Sequence, residues 1–89
     1  MQISFLVIED EIRLLGFSLK LTPSERKLLV AIAERGPLSI EELVPLLNVG
    51  VSRGNVAVHI NAINRKAERI SARKLIIFRA NAYEINPLM

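Results

Sequence analysis

The sequence predicts a small α+β domain with the element order βββ-α-α-α-ββ. Three observations predict it: a strand-rich start, two segments that each open with a helix-capping signature, and a long helical stripe followed by a short hairpin. The 89 residues suffice for one domain with one core. We therefore expect a single domain over residues 1–89, with a β-meander over 1–21, a three-helix core over 22–70 and a hairpin over 71–89.

The stretch FLVIEDEIRLL near the N-terminus has two interpretations. An acidic cluster at a strand tip is typical of the metal site of a phosphorylatable receiver domain, but the chain contains a single aspartate, Asp10, and is too short for that fold. The other interpretation is a hairpin. Residues 3–8 are rich in β-branched and aromatic side chains, residues 9–11 suit a turn, and residues 12–15 form the second strand. The sequence favours the hairpin.

A third strand is expected after Gly16, which interrupts the pattern. Residues 17–21 (FSLKL) alternate strictly between apolar and polar side chains. Alternation with a period of two places every second residue on one face of a strand. We therefore predict that one face carries Phe17, Leu19 and Leu21.

The first helix begins at a strong start signal, LTPSE. Thr22 is a good N-cap, Pro23 suits the first helical position and Glu25 completes a capping box. Gly36, followed by proline, is expected to end the helix. The segment that follows opens with a capping signature of the same kind and also predicts a helix.

The second helix is expected to be short or kinked. Ser39 and Glu42 form a second capping box. Pro45 then lies inside the helical pattern, where it removes a backbone hydrogen bond. We expect the helix to end near Asn48 and Gly50.

The third helix is predicted over residues 55–70. Its apolar residues recur at a four-three-four-three spacing, so they form one narrow stripe that must face a core. The stripe comprises Val56, Ile60, Ile63, Ala67 and Ile70. The opposite surface carries Val58, Asn61, Ala62, Arg65 and Arg69. One flank carries Asn64 and Glu68, and the other carries His59 and Lys66. A final hairpin is expected from residues 75–79 and 83–85, with Asn81 best suited to a positive φ in the connection.

Positive charge is concentrated in the C-terminal third. Residues 1–52 hold 5 basic and 7 acidic side chains, whereas residues 53–79 hold 7 basic and 1 acidic. Such segregation is expected when one surface meets a polyanion, although a solvated helix face can also produce it.

Composition excludes several classes of protein. The chain has no cysteine and one histidine, so disulfides, thiolate sites and multi-histidine metal sites are excluded. We see no nucleophile–base pair or paired carboxylates, and we expect no enzyme and no cofactor. No apolar run is long enough to span a membrane and no signal peptide is visible, so a cytoplasmic protein is the simplest inference.

Three motifs in order give the chain a family resemblance. They are LTPSE at residues 21–25, SRGNVAVHINAINRK at 52–66 and LIIFRANAYEI at 75–85. On these the chain resembles the OmpR/PhoB-type winged-helix effector domain of bacterial response regulators, without the receiver domain. The resemblance implies a winged helix-turn-helix, with the third helix in the major groove of double-stranded DNA and the C-terminal hairpin, the wing, on the adjacent groove or backbone.

The resemblance also implies site residues. His59 and Arg79 match phosphate contacts of the family, Tyr83 matches a backbone contact, and Arg53 lies near a contact, displaced by one inserted residue. Asn61, Ala62 and Asn64 stand where members usually carry arginines. The predicted DNA-binding set is Arg53, Val58, His59, Asn61, Asn64, Arg65, Lys66, Arg69, Arg73, Lys74, Arg79 and Tyr83.

Two functions follow from this set. In the first, the chain is a transcription regulator that reads bases with Val58, Asn61 and Asn64. Its cations contact the phosphate backbone of the DNA. About 5 phosphate contacts would give a log–log salt slope of about −4 to −5. In the second, the scaffold is a protein-interaction module whose partner is RNA polymerase, another regulator or a second copy of the chain. The loss of recognition-helix arginines and the apolar content of 51% favour this alternative.

Overall fold

The computed structural model describes residues 5–8, 11–47 and 53–87, with side chains over 12–47 and 55–87. The strands are β1 (Phe5–Ile8), β2 (Glu11–Leu14), β3 (Phe17–Ser18), β4 (Ile76–Arg79) and β5 (Ala82–Ile85). The helices are α1 (Pro23–Arg35), α2 (Ile40–Leu43) and α3 (Arg53–Ser71), and a 3-10 turn, Val44–Leu46, follows α2 directly. The predicted α+β class and element order are confirmed.

The N-terminal strands form an antiparallel sheet in the order β1-β2-β3. Leu15 and Gly16 connect β2 to β3 with φ of 53° and 82°. Two consecutive positive φ values are typical of the type I′ turn, whose twist matches that of the flanking strands. Leu15 therefore belongs to the turn, and β2 ends one residue earlier than predicted. The predicted acidic turn falls partly on residues 9 and 10, outside the described residues.

The predicted apolar face of β3 is partly wrong. Leu19 is buried and Leu21 is half-buried, but Phe17 is 65% exposed. The strand is only two residues long and lies at the edge of the sheet, whereas α3 packs against the central strand β2. Phe17 on this edge strand is therefore exposed, although Leu14, its cross-strand partner, is fully buried.

Helix α1 begins and ends as its sequence predicts. The Thr22 hydroxyl accepts a hydrogen bond from the Glu25 backbone N–H at 3.2 Å, and the Glu25 carboxylate accepts one from the Thr22 N–H at 3.0 Å. This reciprocal pair is the capping box, which satisfies two of the free donors at a helix start. The helix ends at Gly36, whose φ of 84° favours glycine.

Helix α2 is short, as Pro45 predicts. Ser39 and Glu42 form a second capping box, with hydrogen bonds of 3.2 and 2.9 Å. Only one α-helical turn follows before the backbone tightens into the 3-10 turn that contains Pro45. The predicted end near Asn48 and Gly50 lies outside the described residues.

Helix α3 supplies one wall of the core. It is longer than the predicted 55–70, and its apolar stripe faces inward as expected, with Ile70 half-buried and the other four members buried. It packs against α1, α2, β2 and β4. The buried core comprises Ile12, Leu14, Leu19, Leu28, Leu29, Ile32, Leu38, Leu43, Leu47, Val56, Ile60, Ile63, Ala67, Leu75 and Ile76.

The C-terminal hairpin pairs β4 with β5 through a two-residue turn. Ala80 and Asn81 have φ of 54° and 63°, again the signature of a type I′ turn. The positive φ predicted for Asn81 is confirmed, and Ala80 shares it. Backbone hydrogen bonds of 3.0 and 2.8 Å between Leu38 and Tyr83 tie this hairpin to the segment between α1 and α2.

Candidate nucleic-acid interface

The outward surface of α3 is polar and cationic, with one exposed apolar side chain. Asn61, Arg65 and Arg69 are exposed, and Val58 is 60% exposed. These residues lie opposite the buried stripe because they are displaced by roughly half a turn from it. The periodicity of the sequence predicts this arrangement, and Ala62, half-buried, lies at its margin.

A groove runs between this surface and the C-terminal hairpin. One cavity of about 380 Å³ is lined by Val58, Asn61, Arg65 and Lys74, among others. A second, of about 470 Å³, is lined by Asn61, Lys74 and the hairpin residue Phe78, among others. Because Asn61, Asn64 and Lys74 line both cavities, we treat them as one feature, the α3–hairpin groove.

Asn64 does not face outward, and its predicted role in reading bases is therefore corrected. The residue is only 6% exposed. Its amide nitrogen donates to the Ile76 carbonyl at 2.9 Å, and its amide oxygen accepts from the Ile76 N–H at 2.8 Å. Both ends of the side chain are thus occupied by the backbone of β4.

The two bonds to Asn64 follow from the register of the hairpin. Ile76 lies opposite Ile85, and its neighbour Leu75 accepts a hydrogen bond from Asn86 across the pair. In an antiparallel ladder alternate residues turn their backbone groups away from the partner strand. The backbone groups of Ile76 would be unsatisfied in the core without Asn64, which clamps the hairpin to α3.

The sequence contains a signal for this clamp. Asn64 lies only about 80° from the centre of the apolar stripe, at spacings of four from Ile60 and three from Ala67. A core-facing stripe is commonly at least 100° wide. A prediction that allowed α3 a wider apolar stripe would have placed the Asn64 amide at the edge of the core. The bonding partner, the backbone of Ile76, is identified only by the register of β4.

Lys66 is bound to a buried carboxylate on another helix. Its amino group donates to Glu25 at 2.6 Å, and the Glu25 side chain is only 6% exposed. Burial raises the pKa of Glu25, but the hydrogen bond from Lys66, the hydrogen bond from the Thr22 N–H and the positive charges of Lys66 and His59 together hold that pKa below its ordinary value. The sequence predicted Lys66 as a phosphate contact and missed this ion pair, which joins α1 to α3.

Arg79 also has an acidic partner. Its guanidinium donates to the carboxylate of Glu84, which lies diagonally across the hairpin on the same face. On the other face Phe78 and Tyr83 form an aromatic pair, with ring centroids 4.9 Å apart and an interplanar angle of 56°. Phe78 is 54% exposed, whereas Tyr83 is half-buried against the core.

Comparison with known proteins identifies the fold. No family profile matches the sequence, and no curated protein matches it. A solved structure, the DNA-binding domain of the response regulator AdeR in complex with an intercistronic region, superposes with a TM-score of 0.84 at 17% identity, covering 97% of each chain. The chain has the winged-helix fold of that domain. In this winged helix, α3 is the third helix and the β4–β5 hairpin is the wing.

Three exposed cations of the winged helix form no ion pair within the described part of the chain. Arg65 and Lys74 line the groove together with Glu68, and Arg69 lies on the outward surface of α3. Arg73 is exposed, and its backbone N–H donates to the Ser71 hydroxyl at 3.3 Å. Arg53 begins α3, but its side chain lies outside the described residues.

The described residues contain neither a cluster of metal ligands nor a membrane-spanning helix. Among residues 5–8, 11–47 and 53–87, no group of three histidine, cysteine, aspartate or glutamate side chains is placed to hold a metal ion. Over the same ranges, every helix is too short or too polar to cross a bilayer.

Proposed function

We propose that this chain is a DNA-binding transcription regulator that inserts α3 into the major groove and sets the wing against the adjacent backbone. The observation that carries the proposal is the α3–hairpin groove, where the outward surface of α3 and the wing meet around Asn61 and Lys74. Arg65 and Lys74 supply positive charge there, and neither forms an ion pair among the described residues, although Glu68 lines the same cavity. The fold, shared with a domain solved on an intercistronic region, supports the same function.

The proposed contacts divide by chemistry. Arg65, Arg69 and Lys74 hold phosphates, and either Arg53 or Arg73 adds a fourth phosphate contact. Lys66 and Arg79 contribute less to phosphate binding, because the carboxylates of Glu25 and Glu84 already balance their charges. With three or four phosphate contacts, the log–log slope of affinity against salt is about −3 to −4, shallower than the sequence alone suggests. His59 and Tyr83, both half-buried, are proposed as contacts at the margin.

Two exposed side chains of α3 are proposed to read bases. The Asn61 amide can pair with adenine through its N6 and N7 edge, and Val58 can pack on a thymine methyl group. With Asn64 committed to β4, these two carry the direct readout. The regulator would therefore prefer A·T-containing sites, with about 1–3 kcal/mol of discrimination for a well-formed bidentate pair.

Mapping of the interface by NMR during titration with duplex DNA tests the proposal. The backbone amides of Val58, Asn61, Arg65 and Lys74 are expected to shift, together with those at the tip of the wing. The amide of Lys20, exposed on another part of the chain, serves as the reference. Shifts confined to surfaces that exclude α3 and the wing would overturn the proposal.

A protein-interaction module remains the second candidate, because specific observations favour it. Leu15 and Phe17 are 48% and 65% exposed at the end of the N-terminal sheet. Lys66 and Arg79, two of the predicted phosphate contacts, are held by glutamates. Under this alternative the partner is RNA polymerase, another regulator or a second copy.

Paired substitutions separate the two candidates. The regulator requires that Arg65→Ala with Arg69→Ala weakens DNA binding and function, while Leu15→Ser with Phe17→Ser leaves both intact. The interaction module requires the reverse pattern in a reporter assay. Circular dichroism of each double variant establishes that the fold is retained.

A further inference from the structure

Helix α1 carries a second stripe beside the one that faces the core. The buried stripe contains Glu25, Leu28, Leu29 and Ile32. The second stripe has the same i, i+3, i+4 spacing and, with two residues of the 3-10 turn, lines a cleft of about 750 Å³. The lining of this α1–α2 cleft comprises Pro23, Arg26, Lys27, Val30, Ala31, Arg35, Pro45 and Leu46.

The chemistry of the α1–α2 cleft is apolar in the middle and basic at the rim. Val30, Ala31 and Leu46 are half-buried and pack on the core, so they form a fixed floor. Lys27 and Arg35 are exposed at the rim, and the lining contains no carboxylate. Arg35 lies near enough to Glu42 to contribute to its lowered pKa, after the larger effect of the Ser39 cap.

This combination fits a protein segment better than nucleic acid. A phosphate backbone would satisfy the cations but has nothing to place on an apolar floor, whereas an acidic amphipathic segment satisfies both. No lining residue belongs to α3 or the wing, so the cleft is distinct from the proposed DNA interface.

We propose that the α1–α2 cleft docks an acidic segment of a partner protein, with apolar side chains on the floor formed by Val30, Ala31 and Leu46 and carboxylates at the basic rim. The segment lies along α1 in the helix-in-groove mode, in which anchors recur with helical spacing. Because the cleft shares no residue with the α3–hairpin groove, the segment and duplex DNA bind the chain together.

The test uses the full 89-residue chain and synthetic peptides as probes. The first peptide has glutamates on one helical face and leucine and phenylalanine on the other; the second has the same composition in scrambled order; the third replaces the apolar residues by serine. We expect the first to shift the amide and methyl signals of Val30, Ala31 and Leu46, and to bind at least about tenfold more tightly than the other two.

Charge reversal supplies the matched control. Lys27→Glu places a carboxylate at the rim, and Lys20→Glu makes the same change in net charge at an exposed lysine outside the cleft. Lys27→Glu should weaken binding of the first peptide about tenfold relative to Lys20→Glu, with equal effects of the two variants on DNA affinity.

Three results would overturn the proposal. The scrambled peptide binding as tightly as the amphipathic one would show charge attraction without docking. Peptide-induced shifts at α3 or the wing would place the site elsewhere. Duplex DNA could instead shift the signals of Val30 and Leu46, and Lys27→Glu could lower DNA affinity while Lys20→Glu does not. That result would make the cleft part of a nucleic-acid surface. The peptide measurements do not depend on DNA binding, so they stand even where the regulator proposal fails.

Discussion

At the scale of single residues, two polar side chains of the core connect elements distant in sequence. Glu25 caps α1 and receives the amino group of Lys66 from α3. Asn64 holds the backbone of Ile76 through both ends of its amide. Buried polar groups of this kind are stable only when they are fully bonded, so loss of one partner leaves the other unsatisfied.

The Glu25 ion pair predicts how stability depends on pH. Because the pKa of Glu25 in the folded state lies below its ordinary value of 4.5, the carboxylate stabilises the fold above that value, and the contribution is lost as pH falls through the folded pKa. Urea denaturation at a series of pH values should show a free energy of unfolding that declines in this acidic range, with a smaller decline for Glu25→Gln.

The control for this prediction lies on the same helix. Glu34 is exposed, and Glu34→Gln should keep the wild-type profile. Some decline should persist in Glu25→Gln, because the Ser39 cap also lowers the pKa of Glu42. Identical profiles for Glu25→Gln and wild type would show that the ion pair does not form in solution.

The Asn64 clamp predicts that removal of this side chain lowers the free energy of unfolding more than removal of an exposed one. Asn64→Ala leaves the Ile76 N–H and carbonyl buried without partners, and we expect a loss of about 2–4 kcal/mol in the free energy of unfolding. Asn61→Ala, at an exposed position of the same helix, should change stability by less than about 0.5 kcal/mol. Chemical denaturation measures both, and similar small losses would contradict the clamp.

At the scale of elements, the turns show where the sequence departs from the preferred residues. The wing turn places Ala80 at a φ of 54°, a region in which a side chain costs roughly 1–2 kcal/mol and glycine is tolerated. Ala82, two residues later, lies in the regular strand β5. The same substitution should therefore have opposite effects at these two positions.

Ala80→Gly should stabilise the protein by up to about 1 kcal/mol, since relief of the strained φ exceeds the added entropy of the unfolded chain. Ala82→Gly should destabilise it by about 0.5–1 kcal/mol. Thermal denaturation of the two variants beside the wild type measures the difference. Destabilisation by Ala80→Gly would mean that the turn has another conformation in solution.

At the scale of the whole molecule, the sequence predicts local structure well and long-range contacts poorly. The capping boxes at Thr22 and Ser39 are confirmed because their partners lie three residues away. The pair formed by Glu25 and Lys66 spans 41 residues, and no local pattern encodes it. The exposure of Phe17 was missed for the same reason, since the alternation of a strand does not reveal which helix packs beneath it.

In the candidate site too, local features are predictable from the sequence and long-range contacts are not. Helical periodicity alone places Val58, Asn61 and Arg65 on the outward surface of α3. The neutralisation of Lys66 and Arg79 depends on how α1, α3 and the wing pack and pair, so only the structure reveals it. The positive charge available for a polyanion is consequently smaller than the sequence suggests.

The dependence of DNA affinity on salt tests the central claim, that the cations of α3 and the α3–hairpin groove that form no ion pair among the described residues bind a duplex. Titrations of random duplex DNA at several salt concentrations should give a log–log slope of about −3 to −4, and Arg65→Ala, Arg69→Ala and Lys74→Ala should each reduce its magnitude by about 1. Lys20 lines neither cavity of the groove, and Lys20→Ala should leave the slope unchanged. A slope near zero, or equal slopes for wild type and the Arg65, Arg69 and Lys74 variants, would contradict the account.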